Sequence, residues 1–321
     1  MVVRNGSKGL IGKHALVTQK IDNTVIGAFM TGIRSSTPYF LDVLLDTINF
    51  KKEIYKNLGA TINQITVGNL RKMTFKVPNE SEKFKIGNLF KKLNYLLALY
   101  ERKLKLLSRV KKYFLDNLFA KKEYPNLRFK GFTDAWKQRK LSSILIERKD
   151  LSTESKEFPL SSFIQEKGVV PKSQRYDRSF LVKDSSKKYK VTKFGDFIYS
   201  SNNLDTGSIG LNSYGNAVIS PVYSVFSSKN LNVLETNFVN LLFQQNFYKN
   251  KMLRFRQGVM YGQLKIKEDD FLKIRVNVPS QTEIKNITNL FSKIESYATL
   301  LENKKKQLVQ IKSILLNTMF I

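Results

Sequence analysis

Steps of four and three from Ile86 fall on Phe90, Leu93, Leu97, Tyr100, Leu104, Leu107, Lys111, Phe114 and Leu118, so the seam is broken once, at Lys111. Between Glu82 and Ala120 there is no proline and one glycine, Gly87, near the start. The spacing predicts a long amphipathic helix with a narrow coiled-coil seam, roughly 58 Å long at ~1.5 Å per residue. A stripe of that length cannot be buried by the helix that carries it. It needs a partner.

The partner lies in the same chain. Pro78 to Phe119 aligned without gaps on Pro279 to Phe320 gives 15 identities in 42 positions. Ile86-Gly87-Asn88-Leu89-Phe90 falls on Ile287-Thr288-Asn289-Leu290-Phe291, and Phe119 falls on Phe320. A match this long indicates duplicated architecture. Each rod follows a β-like run that ends in proline, Met73 to Pro78 and Ile274 to Pro279. Proline is expected to open each helix, where its missing N–H costs nothing. On the second seam two positions are Lys305 and Lys312, which weakens that copy and points to a third partner there.

Upstream of the first rod the apolar runs are short. Leu16-Val17-Thr18 and Val25 to Met30 read as strands, and Tyr39 to Leu58 as a helix. Residues 136–278 are mixed. Strand-like runs stand at Val169-Val170, Phe180 to Val182, Tyr189 to Val191, Phe197 to Ser200, Ala217 to Ile219 and Val222 to Phe226, separated by Gly/Asn/Ser turns. Asn237 to Arg254 reads as a helix. The repeat continues upstream of the rods. Gly6-Ser7 and Gly9-Leu10 fall opposite Gly207-Ser208 and Gly210-Leu211, and with small indels Phe40 to Leu45 falls opposite Phe238 to Phe243. Residues 1–77 therefore correspond to the second half of 136–278, and the chain reads as one and a half repeats.

Composition adds a partner class. Among 321 residues, 55 Lys and Arg face 26 Asp and Glu, a net charge of +29. That excess points to a polyanion: DNA, RNA or an acidic membrane. The chain has no cysteine and a single histidine, so disulfide frameworks, thiolate zinc sites and histidine-cluster hydrolysis are not expected. No 18-residue apolar run is present and the N-terminal stretch lacks a signal-peptide core, so no membrane association and a cytoplasmic location are expected. Gly6 to Lys13 misses the P-loop spacing, and His14 stands where a magnesium-binding hydroxyl belongs. Asp269-Asp270 after Glu268 is read as the opening of a short loop or helix. No catalytic residue, metal site or cofactor is expected.

The segment Tyr124 to Leu141 (YPNLRFKGFTDAWKQRKL), the motif Lys193-Phe194-Gly195-Asp196-Phe197-Ile198, and the Asn-Leu-Phe rod entries in this order resemble the specificity subunit of type I restriction-modification systems. The resemblance covers essentially the whole chain. It implies an α+β protein in which mixed α/β target recognition domains are joined by two long helices forming an antiparallel coiled coil. The divisions it implies are 1–78, the C-terminal half of a first recognition domain; 79–122, the central helix; 123–278, a complete second recognition domain; and 279–321, the C-terminal helix. It departs from the family where the first half of the N-terminal domain would stand. It implies a non-catalytic, sequence-specific reader of double-stranded DNA that directs modification (methyltransferase) and restriction (motor-nuclease) subunits to a bipartite target. Two other readings stand beside it: an inactive fragment of such a subunit, and a basic coiled-coil scaffold for RNA or the ribosome.

DNA contacts are expected on loops of 136–278. Lys172, Gln174, Arg175 and Arg178 combine forked donors suited to guanine O6/N7 with an amide suited to adenine. Lys187, Lys188 and Lys190 suit phosphates. Ser201, Asn202 and Asn203 follow a strand, and Arg254, Arg256 and Gln257 follow a helix. The lysines on the rods are read as a solvated face.

Overall fold

The computed structural model describes residues 1–20, 22–58, 63–164, 167–172, 187–200, 209–258 and 264–320. The chain divides into two units, Met1–Leu107 with Tyr297–Ile321, and Ser108–Ser296.

The first unit opens on a two-stranded pair, β1 (Val2–Val3) and β2 (Met30–Thr31), with Asn5 bridging to Gln64. Three short helices follow: α1 (Pro38–Asp46), α2 (Ile48–Lys56) and α3 (Val67–Lys72). The helix expected over Tyr39 to Leu58 is thus two helices. Thr47 takes an extended backbone between them, and its hydroxyl accepts from the Phe50 N–H at 3.2 Å, capping α2. Leu16 to Thr18 does not form a strand, and of Val25 to Met30 only Met30 pairs. Turns at Asp22-Asn23 and Ala28-Phe29 break up the second run and leave Val25 in solvent. The core gathers Val2, Ile11, Leu45, Phe50, Ile54 and Ile65.

Next comes the first long helix, α4 (Glu80–Asn117). It begins two residues after Pro78, and Asn79 caps it by accepting the Glu82 N–H at 2.9 Å. In this unit Ile86, Phe90 and Leu93 pack with Phe40 and Val43 of α1, with Leu308, Leu315 and Leu316 of the C-terminal helix, and with Phe320 just after it. The start of one rod therefore lies beside the end of the other. Gly87 permits the approach of α1, because a Cβ there would stand 2.8 Å from the Phe40 backbone nitrogen.

The second unit carries the sheets. Its strands are β3 (Lys137–Lys140), β4 (Leu145–Glu147), β5 (Leu151–Ser152), β6 (Ser161–Ile164), β7 (Gly168–Pro171), β8 (Tyr189–Thr192), β9 (Phe197–Ser200), β10 (Ile209–Leu211), β11 (Ala217–Ile219) and β12 (Tyr223–Ser228). Helices α5 (Val233–Phe243) and α6 (Asn246–Leu253) follow, then the hairpin β13 (Gln257–Gly258) with β14 (Leu264–Lys265), α7 (Glu268–Lys273), β15 (Arg275–Val278) and α8 (Gln281–Met319). The helix expected over Asn237 to Arg254 is again two, α5 and α6. Asp269 and Asp270 sit in the first turn of α7, where the helix dipole favours carboxylates.

Two sheets form the body of this unit, ordered β10-β9-β12-β4 and β11-β8-β5, and β15 pairs with β3. The core is aromatic: Phe197, Tyr199, Phe226, Phe243 and Phe271 are all buried, with Phe197 and Phe271 stacked at 5.6 Å. The motif at 193–198 has a structural role. Arg148 forks onto Asp196 at 2.7 and 3.0 Å, and Gly195, at φ +83, lies against Val233, with 2.8 Å from an added Cβ to the valine methyls. No alanine would fit at Gly195 without strain. Ser280 caps α8 from the Glu283 N–H at 3.3 Å. Here Phe114 and Leu115 from the end of α4 and Leu118 just after it pack with Ile287 and Phe291 from the start of α8. Each unit by itself thus shows the antiparallel pairing.

The duplication is visible in the packing. In the second unit Phe119 sits 5.5 Å from Phe238 and 6.0 Å from Phe291. In the first, Phe320 sits 5.6 Å from Phe40 and 6.4 Å from Phe90. The seam lysines find partners within the chain: Lys305 on the other rod, and Lys312 on a third element, α1. Lys111 reaches Glu295 at 3.0 Å, Lys305 reaches Glu101 at 2.8 Å and Lys312 reaches Asp46 at 3.0 Å.

Candidate nucleic-acid interface

Strand register decides which loops of the second unit lie together. Lys190 of β8 is opposite Ile219 of β11, Tyr223 of β12 is opposite Ser200 of β9, and Tyr199 is opposite Ile209 of β10. The start of β8, the β11–β12 turn, the end of β9 and the start of β10 therefore share one end of the sheets. Segment 172–188 leads into the start of β8. Segment 201–208 joins β9 to β10. A third segment, the hairpin β13–β14, comes to the same end through the residues that follow it. The Tyr199 hydroxyl donates to the Ile266 carbonyl at 3.3 Å, and the Ser224 hydroxyl donates to Glu268 at 2.8 Å. In the sequence, all thirteen of the residues expected to contact DNA lie on or beside these three segments.

Beneath this end is a polar cluster. Lys190 is 9% exposed, with Nζ 3.4 Å from Glu147 and 3.9 Å from Glu268. Tyr199 is held against the cluster, and its phenol is pushed far up, chiefly by burial. Lys190 ties β8 to β4 and to the start of α7, its ammonium facing two carboxylates. Sequence alone missed Glu147 and Glu268 as its partners.

The described basic residues fall into different settings. Lys187 and Lys188 are exposed, with the Lys187 ammonium 5.7 Å from the Tyr189 ring centre. Lys172 is half-buried, and its backbone N–H donates to the Leu160 carbonyl. Arg254 is exposed and Arg256 half-buried. Gln257 donates to Asp270 at 2.9 Å, anchoring the foot of the hairpin. Lys251 has its pKa lowered by burial and by the nearby Arg254 charge. Gln174, Arg175, Arg178, Ser201, Asn202 and Asn203 lie outside the described residues. Among the described residues no group of acidic, histidine or cysteine side chains could hold a metal ion, and no helix is long and apolar enough to cross a membrane.

No protein-family model and no curated protein sequence matches the chain. Solved structures do resemble it. The S subunit of a type I restriction-modification system from M. genitalium superposes with a TM-score of 0.56 at 12% identity, over 88% of this chain and 72% of that one. The HsdS subunit from Thermoanaerobacter tengcongensis gives 0.46 at 14% identity, over 88% and 70%. A chain from a structure of type I R-M complex assembly and conformational transition gives 0.47 at 13%, over 90% and 73%. The M. genitalium likeness shows the fold: mixed helix and strand with two long helices, as in that S subunit.

Proposed function

We propose that this chain is a DNA-recognition subunit of a type I restriction-modification assembly, non-catalytic itself, that directs modification and restriction subunits to a bipartite duplex target. The reading is carried by the basic and amide content of segments 172–190, 201–203 and 254–257, which in sequence adjoin strand ends that register brings to one end of the second unit's sheets. The fold shared with the M. genitalium S subunit supports it, as does the net charge of +29. Polyanion binding through such a charge releases counterions and is therefore steeply salt-dependent.

In this reading Lys187, Lys188, Lys172 and Arg254 meet phosphates, which fix register without reading sequence. Gln174, Arg175, Arg178, Ser201, Asn202, Asn203 and Arg256 are the candidates for base edges, with arginine forks suited to guanine. Lys190 and Gln257 hold the loops in place from below. The duplicated core around Phe119 and Phe320 provides two units of one design, which suits a target in two parts. Exposed apolar side chains on the rods, among them Tyr95, Tyr113 and Ile314, suit contact with protein partners.

Duplex selection from a random pool at two salt concentrations tests the reading. A single bipartite duplex should emerge, and replacing Lys187 and Lys188 by alanine should weaken binding equally on all sequences while lowering the salt slope by about one per residue. Equal binding to RNA and to every duplex would favour the scaffold reading instead. Methylation or cleavage by the highly purified chain alone would overturn the non-catalytic assignment.

A further inference from the structure

The two copies of the repeat differ in what covers them. In the second unit, residues 123–141 close the face formed by β15 and the first turn of α8. β3 pairs with β15 antiparallel, Lys137 opposite Val278 and Lys140 opposite Arg275. Arg128 forks onto Glu283 with two bonds of 2.8 Å, and Glu283 is only 1% exposed. Trp136 is buried, 5.9 Å from Phe238 and 6.5 Å from Phe119.

In the first unit the same positions are present and open. Thr74 to Val77 corresponds to Arg275 to Val278, yet no strand pairs with it among the described residues. Val77 is 45% exposed where Val278 is 9% exposed. Glu82, the counterpart of Glu283, lies in solvent without an ion pair among the described residues. Glu80 and Glu82 make the first turn of α4 acidic, and Phe84 beside them is 64% exposed. The aromatic pair that would receive a tryptophan, Phe40 and Phe320, is in place.

We infer that this face is a docking site for a polypeptide segment outside residues 1–321, with the layout of residues 123–141: an arginine for Glu82, a large aromatic for the Phe40–Phe320 pair, and a basic strand that pairs antiparallel with 74–77. Strand addition supplies the backbone bonds, and the arginine fork and aromatic anchor set the register. The charge is complementary, since 123–141 carries Arg128, Lys130, Lys137, Arg139 and Lys140. A second copy of this chain is the poorer occupant. It would have to withdraw Trp136 and Arg128 from its own buried positions, opening one face to close another. This inference rests on the internal duplication and is independent of the DNA reading.

The test adds a synthetic peptide of residues 123–141 to the full chain and follows hydrogen exchange across 73–84. Exchange should slow as the peptide saturates. Glu82→Gln in the chain, or Arg128→Gln in the peptide, should weaken the effect about tenfold, the expected loss for a charge-assisted fork. Unchanged exchange across 73–84 at millimolar peptide overturns the proposal, as does protection that is indifferent to both substitutions. Protection of 73–84 that appears in the chain alone and rises with its concentration would assign the face to a second copy.

Discussion

Lys190→Met separates a supporting lysine from a phosphate-binding one. The side chain is nearly buried and its ammonium sits 3.4 Å from Glu147 and 3.9 Å from Glu268. Methionine keeps most of the aliphatic length and removes only the charge. Glu147 and Glu268 then lose the cation they share, and among the described residues Glu147 keeps only the more exposed Lys149, at 3.7 Å. Breaking a fully buried pair by removing one partner costs about 3–5 kcal/mol. Here the distances exceed ideal hydrogen-bond lengths and the glutamates retain some exposure, so about 2 kcal/mol is the better figure. With a urea m-value of about 2 kcal/mol/M, the midpoint of the second unit's transition should fall by about 1 M. Adding Glu147→Gln should recover part of that loss, because it removes one of the two carboxylate charges. DNA affinity, read at a temperature where both proteins are folded, should keep its salt slope. In contrast, Lys187→Ala with Lys188→Ala should leave the unfolding free energy within ~0.5 kcal/mol of the parent and lower the salt slope. A Lys190→Met protein with unchanged stability and a reduced salt slope would refute the argument and return Lys190 to the phosphate contacts.

Three further outcomes follow from the packing. Phe119→Ala should destabilise the second unit by about 3–4 kcal/mol, and Phe320→Ala, at a less enclosed site, should cost the first unit about 1–2 kcal/mol, both read from hydrogen exchange of the flanking helices. Equal effects on both units from either change would contradict the duplicated-core description. Gly87→Ala should cost about 1–3 kcal/mol, since its Cβ would press on the Phe40 backbone, and thermal unfolding followed by exchange in α1 will show it. Asp42 has a raised pKa, chiefly from burial and despite the charge of nearby His14 and Lys312, with Asp46 adding repulsion. A carboxyl favoured in its neutral form by the fold adds stability at low pH that is lost as pH rises through its raised value. Asp42→Asn should therefore melt at or above the parent at pH 7 and converge with it at pH 3, and a variant that melts lower at pH 7 refutes the sign.

Much of the fold was legible because the rods carry their own period. The seam from Ile86 to Leu118 and its copy from Ile287 needed no tertiary information, and the repeat placed Phe119 and Phe320 in matching roles before any contact was known. What failed were decisions made by tertiary partners. Thr47 ends α1 because its hydroxyl can cap α2, a choice that composition does not announce inside an apolar run. Val25 to Met30 has the residues of a strand, yet only Met30 finds a partner, so propensity gives way to the neighbouring turns. Lys312 looked like a flaw in the second seam because its partner, Asp46, belongs to α1, which no heptad reading of the rods includes.

The proposed site could be marked from the sequence as segments and not as geometry. Basic and amide residues between strand-like runs marked 172–190, 201–203 and 254–257, since those residue types at turns have no part in a core. That the strand ends next to these segments meet is a property of register: Lys190 beside Ile219, Ser200 beside Tyr223, Tyr199 beside Ile209. A one-residue slip in any of these pairs would turn every side chain of that strand to the other face. The same register turns Lys190 inward between Glu147 and Glu268, while Lys187 and Lys188, only two or three residues away, stand in solvent. Counting lysines in such a stretch therefore overstates its reach for phosphate: the lysine inside the buried strand is held between carboxylates, while those just before it stand in solvent.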